Sequence, residues 1–155
     1  TRASNRAGLQ QAYTRAIAAL RAGAGPVALA LLDIDDFKKV NDVRGHAAGD
    51  GVLRHLAELL KARIGEAATV ARYGGEEFVI LMPEASVAHT HDLLLRVQRE
   101  MTREVYMHES THVFVTFSAG VTAVRADEAL ETAVARADDA MYRAKDAGKN
   151  RVEMA

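Results

Sequence analysis

The chain has 155 residues, 49% of them hydrophobic and 26% charged, which suits one ordinary globular domain with a core of its own. Lys and Arg number 20 against 21 Asp and Glu, so no overall field draws the chain to nucleic acid or anionic lipid, and neither is expected as a partner. There is no cysteine, no apolar run long enough to span a bilayer and no signal-peptide pattern in Thr1-Arg2-Ala3-Ser4-Asn5-Arg6; a cytoplasmic domain without disulfides, thiolate metal sites or membrane contact is expected.

Helical spacing from Leu9 to Leu20 ends at the Gly and Pro cluster Gly23-Ala24-Gly25-Pro26. Val27 to Leu32 is apolar without alternation, the pattern of a central strand covered on both faces, and it runs into Asp33-Ile34-Asp35-Asp36. Val52, Leu53, Leu56, Leu59, Leu60 and Ile64 recur at helical intervals, with Asp50 expected just before that helix. Thr69–Tyr73 and Glu77–Met82 read as strands of a hairpin whose glycines, Gly74 and Gly75, suit the positive φ angles of a tight turn. Past Pro83, a helix carries Leu94, Val97, Met101 and Val105 on one face. Val113 to Val124 then reads as one strand or a bulged pair around Gly120, and a last helix spans Glu128 to Ala147. No repeat, low-complexity tract or linker interrupts this order, which predicts a layered α/β sandwich with helices packed on a sheet.

If the strands ending at Asp33 and starting at Glu77 pair, Asp33, Glu76 and Glu77 become neighbours. Clustered carboxylates are costly unless a cation compensates them, and a hard divalent ion is the natural occupant. The plain alternative is a solvated acidic turn capping the helix that Phe37-Lys38-Lys39-Val40 could open.

Larger blocks decide between these. Asp33-Ile34-Asp35-Asp36-Phe37-Lys38, Asn41-Asp42, Gly45-His46-Ala47-Ala48-Gly49-Asp50 and Arg72-Tyr73-Gly74-Gly75-Glu76-Glu77-Phe78 resemble the GGDEF family of diguanylate cyclases, Gly-Gly-Glu-Glu-Phe being an accepted form of its signature. The likeness continues through Ser118-Ala119-Gly120-Val121, Ala137 to Lys145 and Gly148-Lys149-Asn150-Arg151. It implies a fold like the adenylyl cyclase catalytic domain, with a central, mostly antiparallel sheet flanked by helices and the signature hairpin at the active site. It also implies the reaction of two GTP to cyclic di-GMP and two pyrophosphates, in a dimer of catalytic domains, with Mg2+ as cofactor and Mn2+ as its substitute.

The residues implied by the same resemblance are Asp33, Glu76 and the backbone oxygen of Ile34 as metal ligands, with Glu77 in the same catalytic cluster. Asn41 and Asp50 would read guanine, whose N1–H and N2–H₂ donors suit a carboxylate. Lys145 and Lys149, four apart and expected on one helix face, would grip the terminal phosphates; arginine is commoner at the second position. Backbone N–H groups at Phe37 and Lys38 would meet the triphosphate, while Gly74 and Gly75 would let the backbone approach the nucleotide. His46 is expected in a structural hydrogen bond, and the other five histidines on the surface or in loops.

Two departures stand out. The Arg-x-x-Asp that serves many relatives as a product-inhibition site is replaced by Gly65 and Ala68, so that feedback site is expected to be absent, a shifted Arg63/Glu66 pair being a poor substitute. The family's entry motif survives only as Thr1 to Arg6, so a fragment of a longer protein is expected, missing a sensory and dimerising region. The competing reading is a degenerate domain that senses GTP or cyclic di-GMP without turnover, against which the three retained carboxylates stand.

Overall fold

The computed structural model describes residues 4–103, 106–108 and 111–155. In chain order the elements are α1 (Arg6–Arg21), β1 (Ala28–Ile34), α2 (Phe37–Arg44), α3 (His46–Ile64), β2 (Thr69–Arg72), β3 (Glu77–Met82), α4 (Val87–Arg103), β4 (Tyr106–His108), β5 (Thr111–Val113), β6 (Phe117–Ala123), α5 (Leu130–Asp146) and β7 (Val152–Met154). The main sheet has the order β2-β3-β1-β6-β7, antiparallel throughout except for the parallel β6–β7 pair, and β4 and β5 form a separate hairpin. This is the mostly antiparallel, helix-flanked sheet expected from the sequence.

The lack of alternation in β1 follows from its central place. Ala28, Ala30, Leu32 and Ile34 join one core beneath α3 and α4, while Leu29 and Leu31 join a second core beneath α1 and α5. Odd-numbered positions of β1 and β3 thus face α1 and α5, and this parity decides which face carries Asp33 and Glu77. No helix among the described residues is long and apolar enough to cross a membrane.

Asp33 lies at the end of β1 as expected, paired with Glu77, while β1 runs one residue further to Ile34. Several other sequence expectations are corrected. The apolar run from Val113 to Val124 is not one strand: Val113 belongs to the β4–β5 hairpin, and β6 begins only at Phe117. Gly120 makes no bulge. It sits in unbroken register opposite Leu31, and a Cβ there would overlap the Ala137 carbonyl oxygen and come within 2.5 Å of the Met141 backbone nitrogen. The glycine permits a close helix–sheet contact. Val105 and Thr1–Ala3 lie outside the described residues.

Candidate active site

The end of the sheet where β1 finishes and β3 begins gathers the acidic residues. Antiparallel register sets Asp33 opposite Glu77, and the Ile34 N–H donates to the Glu76 carbonyl at 3.3 Å, tying the signature turn to the end of β1. By strand parity, Asp33 and Glu77 share the α5 face. Asp33 Oδ1 is buried without a hydrogen-bond partner, and Oδ2 lies 2.9 Å from the Lys145 ammonium, near the end of α5. Burial pushes the Asp33 carboxyl above its usual range; Lys145 opposes this shift, and Glu76 and Asp35 add to it. Glu77 is likewise pushed up, first by burial and then by Asp33, Asp138 and Glu76, with Arg6 opposing.

The turn itself differs from expectation. Neither Gly74 nor Gly75 takes the positive φ for which a glycine would be needed. Gly74 matters for space: a Cβ there would lie 2.5 Å from Glu77 Oε1, so its absence leaves the carboxylate its place, whereas a Cβ at Gly75 would meet nothing within 4 Å. Two arginines brace the tip. Arg72 donates to the Gly75 carbonyl, and Arg6 donates to the Tyr73 carbonyl at 2.6 and 2.9 Å while lying 3.9 Å from the centre of the Tyr73 ring.

The loop after β1 is anchored by Asp35, which the sequence reading did not single out. Its buried carboxylate accepts from Thr116 Oγ1 at 2.6 Å, Ser118 Oγ at 2.7 Å and the Asn150 N–H at 3.0 Å; its own N–H donates to the Thr116 carbonyl. The available signal was the second Asp of Asp-x-Asp together with the Ser before Ala119-Gly120. Asp36 follows in the left-handed region, φ 54°, and pairs with Lys149 at 2.7 Å; that lysine holds its exposed carboxyl below the usual range.

Lys145 and Lys149 do not share a helix face. α5 ends at Asp146, and Lys149 has φ 65°, outside the helix, yet both lysines return to the Asp33–Asp36 loop. Phe37 and Lys38 open α2, with Lys38 exposed and Phe37 half-buried against the α3-side core.

α2 and α3 are separated by Gly45, φ 91°. Asn41 lies against Gly49: a Cβ there would overlap Asn41 Oδ1 and come within 3.1 Å of Phe37 Cζ. Asn41 Oδ1 is buried without a partner. Asp50 is exposed and lies inside α3, at its fifth residue, not before the helix as expected. His46, the first residue of α3, is exposed and makes no side-chain hydrogen bond among the described residues, against its expected structural role. His55 and His91 are half-buried on α3 and α4, not in loops, and His91 Nε2 lies 3.1 Å from the Val152 carbonyl. Arg63, the first residue of the shifted pair, is engaged with Glu100 of α4 at 2.8 Å.

Residues 1–151 match the family described as diguanylate cyclase, GGDEF domain. The chain is 42% identical over 151 residues to the diguanylate cyclase DgcP of Pseudomonas aeruginosa, covering 97% of this chain and 22% of that protein. Among solved structures, the GGDEF domain of DgcB from Caulobacter crescentus, in complex with c-di-GMP, superposes with a TM-score of 0.91 at 32% identity, covering 99% of this chain and 89% of that one. The active GGEEF domain of a diguanylate cyclase from Vibrio cholerae gives 0.90 at 30% identity, covering 99% and 97%. The chain spans 22 to 42% of the length of curated relatives such as DgcP of P. aeruginosa and DgcZ of Escherichia coli. By the family match over nearly its whole length and by these likenesses, the chain belongs to the GGDEF family of diguanylate cyclase domains.

Proposed function

We propose that this domain joins two GTP molecules into cyclic di-GMP with release of two pyrophosphates, each of two domains presenting one GTP across an approximate two-fold axis. The observation that carries the reading is the cross-strand pairing of Asp33 with Glu77, with Glu76 in the adjoining turn. Family membership and the named activities of the relatives support it.

The family implies a divalent metal. In this reading the metal is Mg2+, held by Asp33, Glu76 and the Ile34 carbonyl with Glu77 alongside. The residues fit such an ion: Asp33 Oδ1 is buried and unpartnered, and the carboxyls of Asp33 and Glu77 are both raised, first by burial and then by neighbouring carboxylates, Glu76 and Asp35 for Asp33 and Asp33, Asp138 and Glu76 for Glu77. Among the described residues no three His, Asp or Glu side chains close into a metal cage. An ion that completes its shell with water and phosphate oxygens needs none. When bound, it supplies neutralisation of the charge that develops on the phosphoryl oxygens.

The chain's own residues do the rest. Lys145 and Lys149 hold the terminal phosphates, and the N–H groups of Phe37 and Lys38 at the start of α2 receive phosphate oxygens. Asp50 accepts from guanine N1–H and N2–H₂, with Asn41 beside it; adenine presents an acceptor at N1 and is disfavoured. Gly74 and Gly75 keep side chains away from the nucleotide. Glu77, its carboxyl raised, is suited to take the proton of the attacking 3′-hydroxyl as that oxygen adds to the α-phosphorus of the second GTP. In this reading His46, exposed at the head of α3, borders the bound nucleotide.

Asp33→Ala and Glu76→Ala test this reading. Each should lower the rate of GTP consumption by about 100-fold or more while circular dichroism and the melting transition are retained. Near-normal turnover in a folded variant would contradict the assignment.

A further inference from the structure

Lys145 lies near the end of α5, and its ammonium is directed into the carboxylates, 2.9 Å from Asp33 Oδ2 and 3.4 Å from Asp35 Oδ1. The two contacts are unequal. Asp35 already accepts from Thr116, Ser118 and Asn150, so its charge is compensated without the lysine. Asp33 has no such set: its Oδ1 is buried without a partner, and Lys145 is the cation beside its Oδ2. A half-buried carboxylate in this condition depends on the positive group that reaches it, which among the described residues is Lys145.

A divalent cation on Asp33 would enter the space around a carboxylate already paired with an ammonium, and two cations at contact distance repel. The lysine stem is long and flexible, its ammonium is a compact charge with three donors, and the side chain is a quarter exposed, so it can leave Asp33 without disturbing α5. We propose that Lys145 is a placeholder for the metal: in the nucleotide-free domain its ammonium competes with the divalent cation for Asp33, and it passes to the triphosphate when metal and nucleotide arrive together. The inference rests on the reading of Asp33 as a metal ligand. Its consequence is a coupling between sites: the metal alone binds weakly, and the nucleotide strengthens it by giving the displaced ammonium a new anionic partner.

Titration of the domain with Mn2+, followed by the electron paramagnetic resonance signal of the free ion, tests this. One series is run without nucleotide and one with a GTP analogue whose α,β-bridging oxygen is a methylene. Lys145→Met and Lys145→Gln should bind Mn2+ alone about 3- to 10-fold more tightly than the wild type. The same variants should bind it less tightly than the wild type in the presence of the analogue, and Lys145→Arg, which keeps the charge, should follow the wild type in the first series. A lysine that only supports the fold would weaken both series or leave the first unchanged, and either result overturns the placeholder role. Asp33→Asn separates this failure from that of the underlying reading. If Asp33→Asn binds Mn2+ as the wild type does, Asp33 is not a ligand and both fall; if it loses Mn2+ while the Met and Gln variants do not differ from wild type, only the inference about Lys145 falls.

Discussion

Asp33 and Glu77 stand directly opposite each other on neighbouring strands, where like charges destabilise a sheet. Both carboxyls sit above their usual range, so the folded domain holds more proton than the unfolded chain between the unfolded and folded values. Stability is therefore lost as pH rises through that window and regained as it falls. Glu77→Gln removes part of this repulsion: without metal it should melt at the same or a higher temperature than the wild type at pH 7, with a smaller gain on acidification to pH 5, while synthesis is lost. Thermal melts at the two pH values check it. Gly74 acts on the same side chain. Gly74→Ala should push the Glu77 carboxylate aside, because the obstacle is the end of a flexible side chain, and lower kcat about 10- to 100-fold with a stability change under about 1 kcal/mol. The acidic strand end and the hairpin glutamates were legible in the sequence because each is a local run, whereas the lysines came from the family resemblance and their expected shared helix face did not hold. Asp35 and Arg6 were not legible, since their partners Thr116, Ser118 and Tyr73 lie 81, 83 and 67 positions away.

At the scale of elements, sequence reading located α1, α3, α4, α5 and the main-sheet strands before β7, left α2 only as a helix that Phe37 to Val40 could open, and erred where tertiary contact overrides local pattern. Periodicity cannot separate β5 from β6, because the apolar character runs through Phe114 and Val115 while the pairing changes partner. α3 starts earlier than its apolar stripe because Gly45, at φ 91°, breaks the chain from α2 and the first turn of α3, His46-Ala47-Ala48-Gly49, carries no large apolar side chain to mark it. Gly120 was read as a bulge signal, yet it serves helix packing: α5 crosses β6 with its own backbone against the glycine. Gly120→Ala has only backbone to push against and should cost about 3 kcal/mol, read as a lower urea midpoint at unchanged slope.

The whole molecule places its reactive groups at one end of a five-stranded sheet, where the ends of β1 and α5 meet the beginnings of β3, β6 and α2. Helices on both faces bury the sheet, and in the proposed reading that end binds the substrate. Elsewhere, the position of the family's product-inhibition motif carries Gly65, at φ 90°, and Ala68, while Arg63 is engaged with Glu100. Added cyclic di-GMP should therefore inhibit only weakly, as initial rates at increasing product concentration would reveal; tight noncompetitive inhibition would place a binding surface elsewhere.

The most direct test of the account is chromatography and mass identification of the product formed by the artificially dimerised domain with GTP and Mg2+, beside ATP in place of GTP and Glu76→Ala in place of the wild type. Cyclic di-GMP is expected from GTP, and none from ATP or from the variant. GTP binding without product, or a different cyclic nucleotide, would contradict the proposed activity.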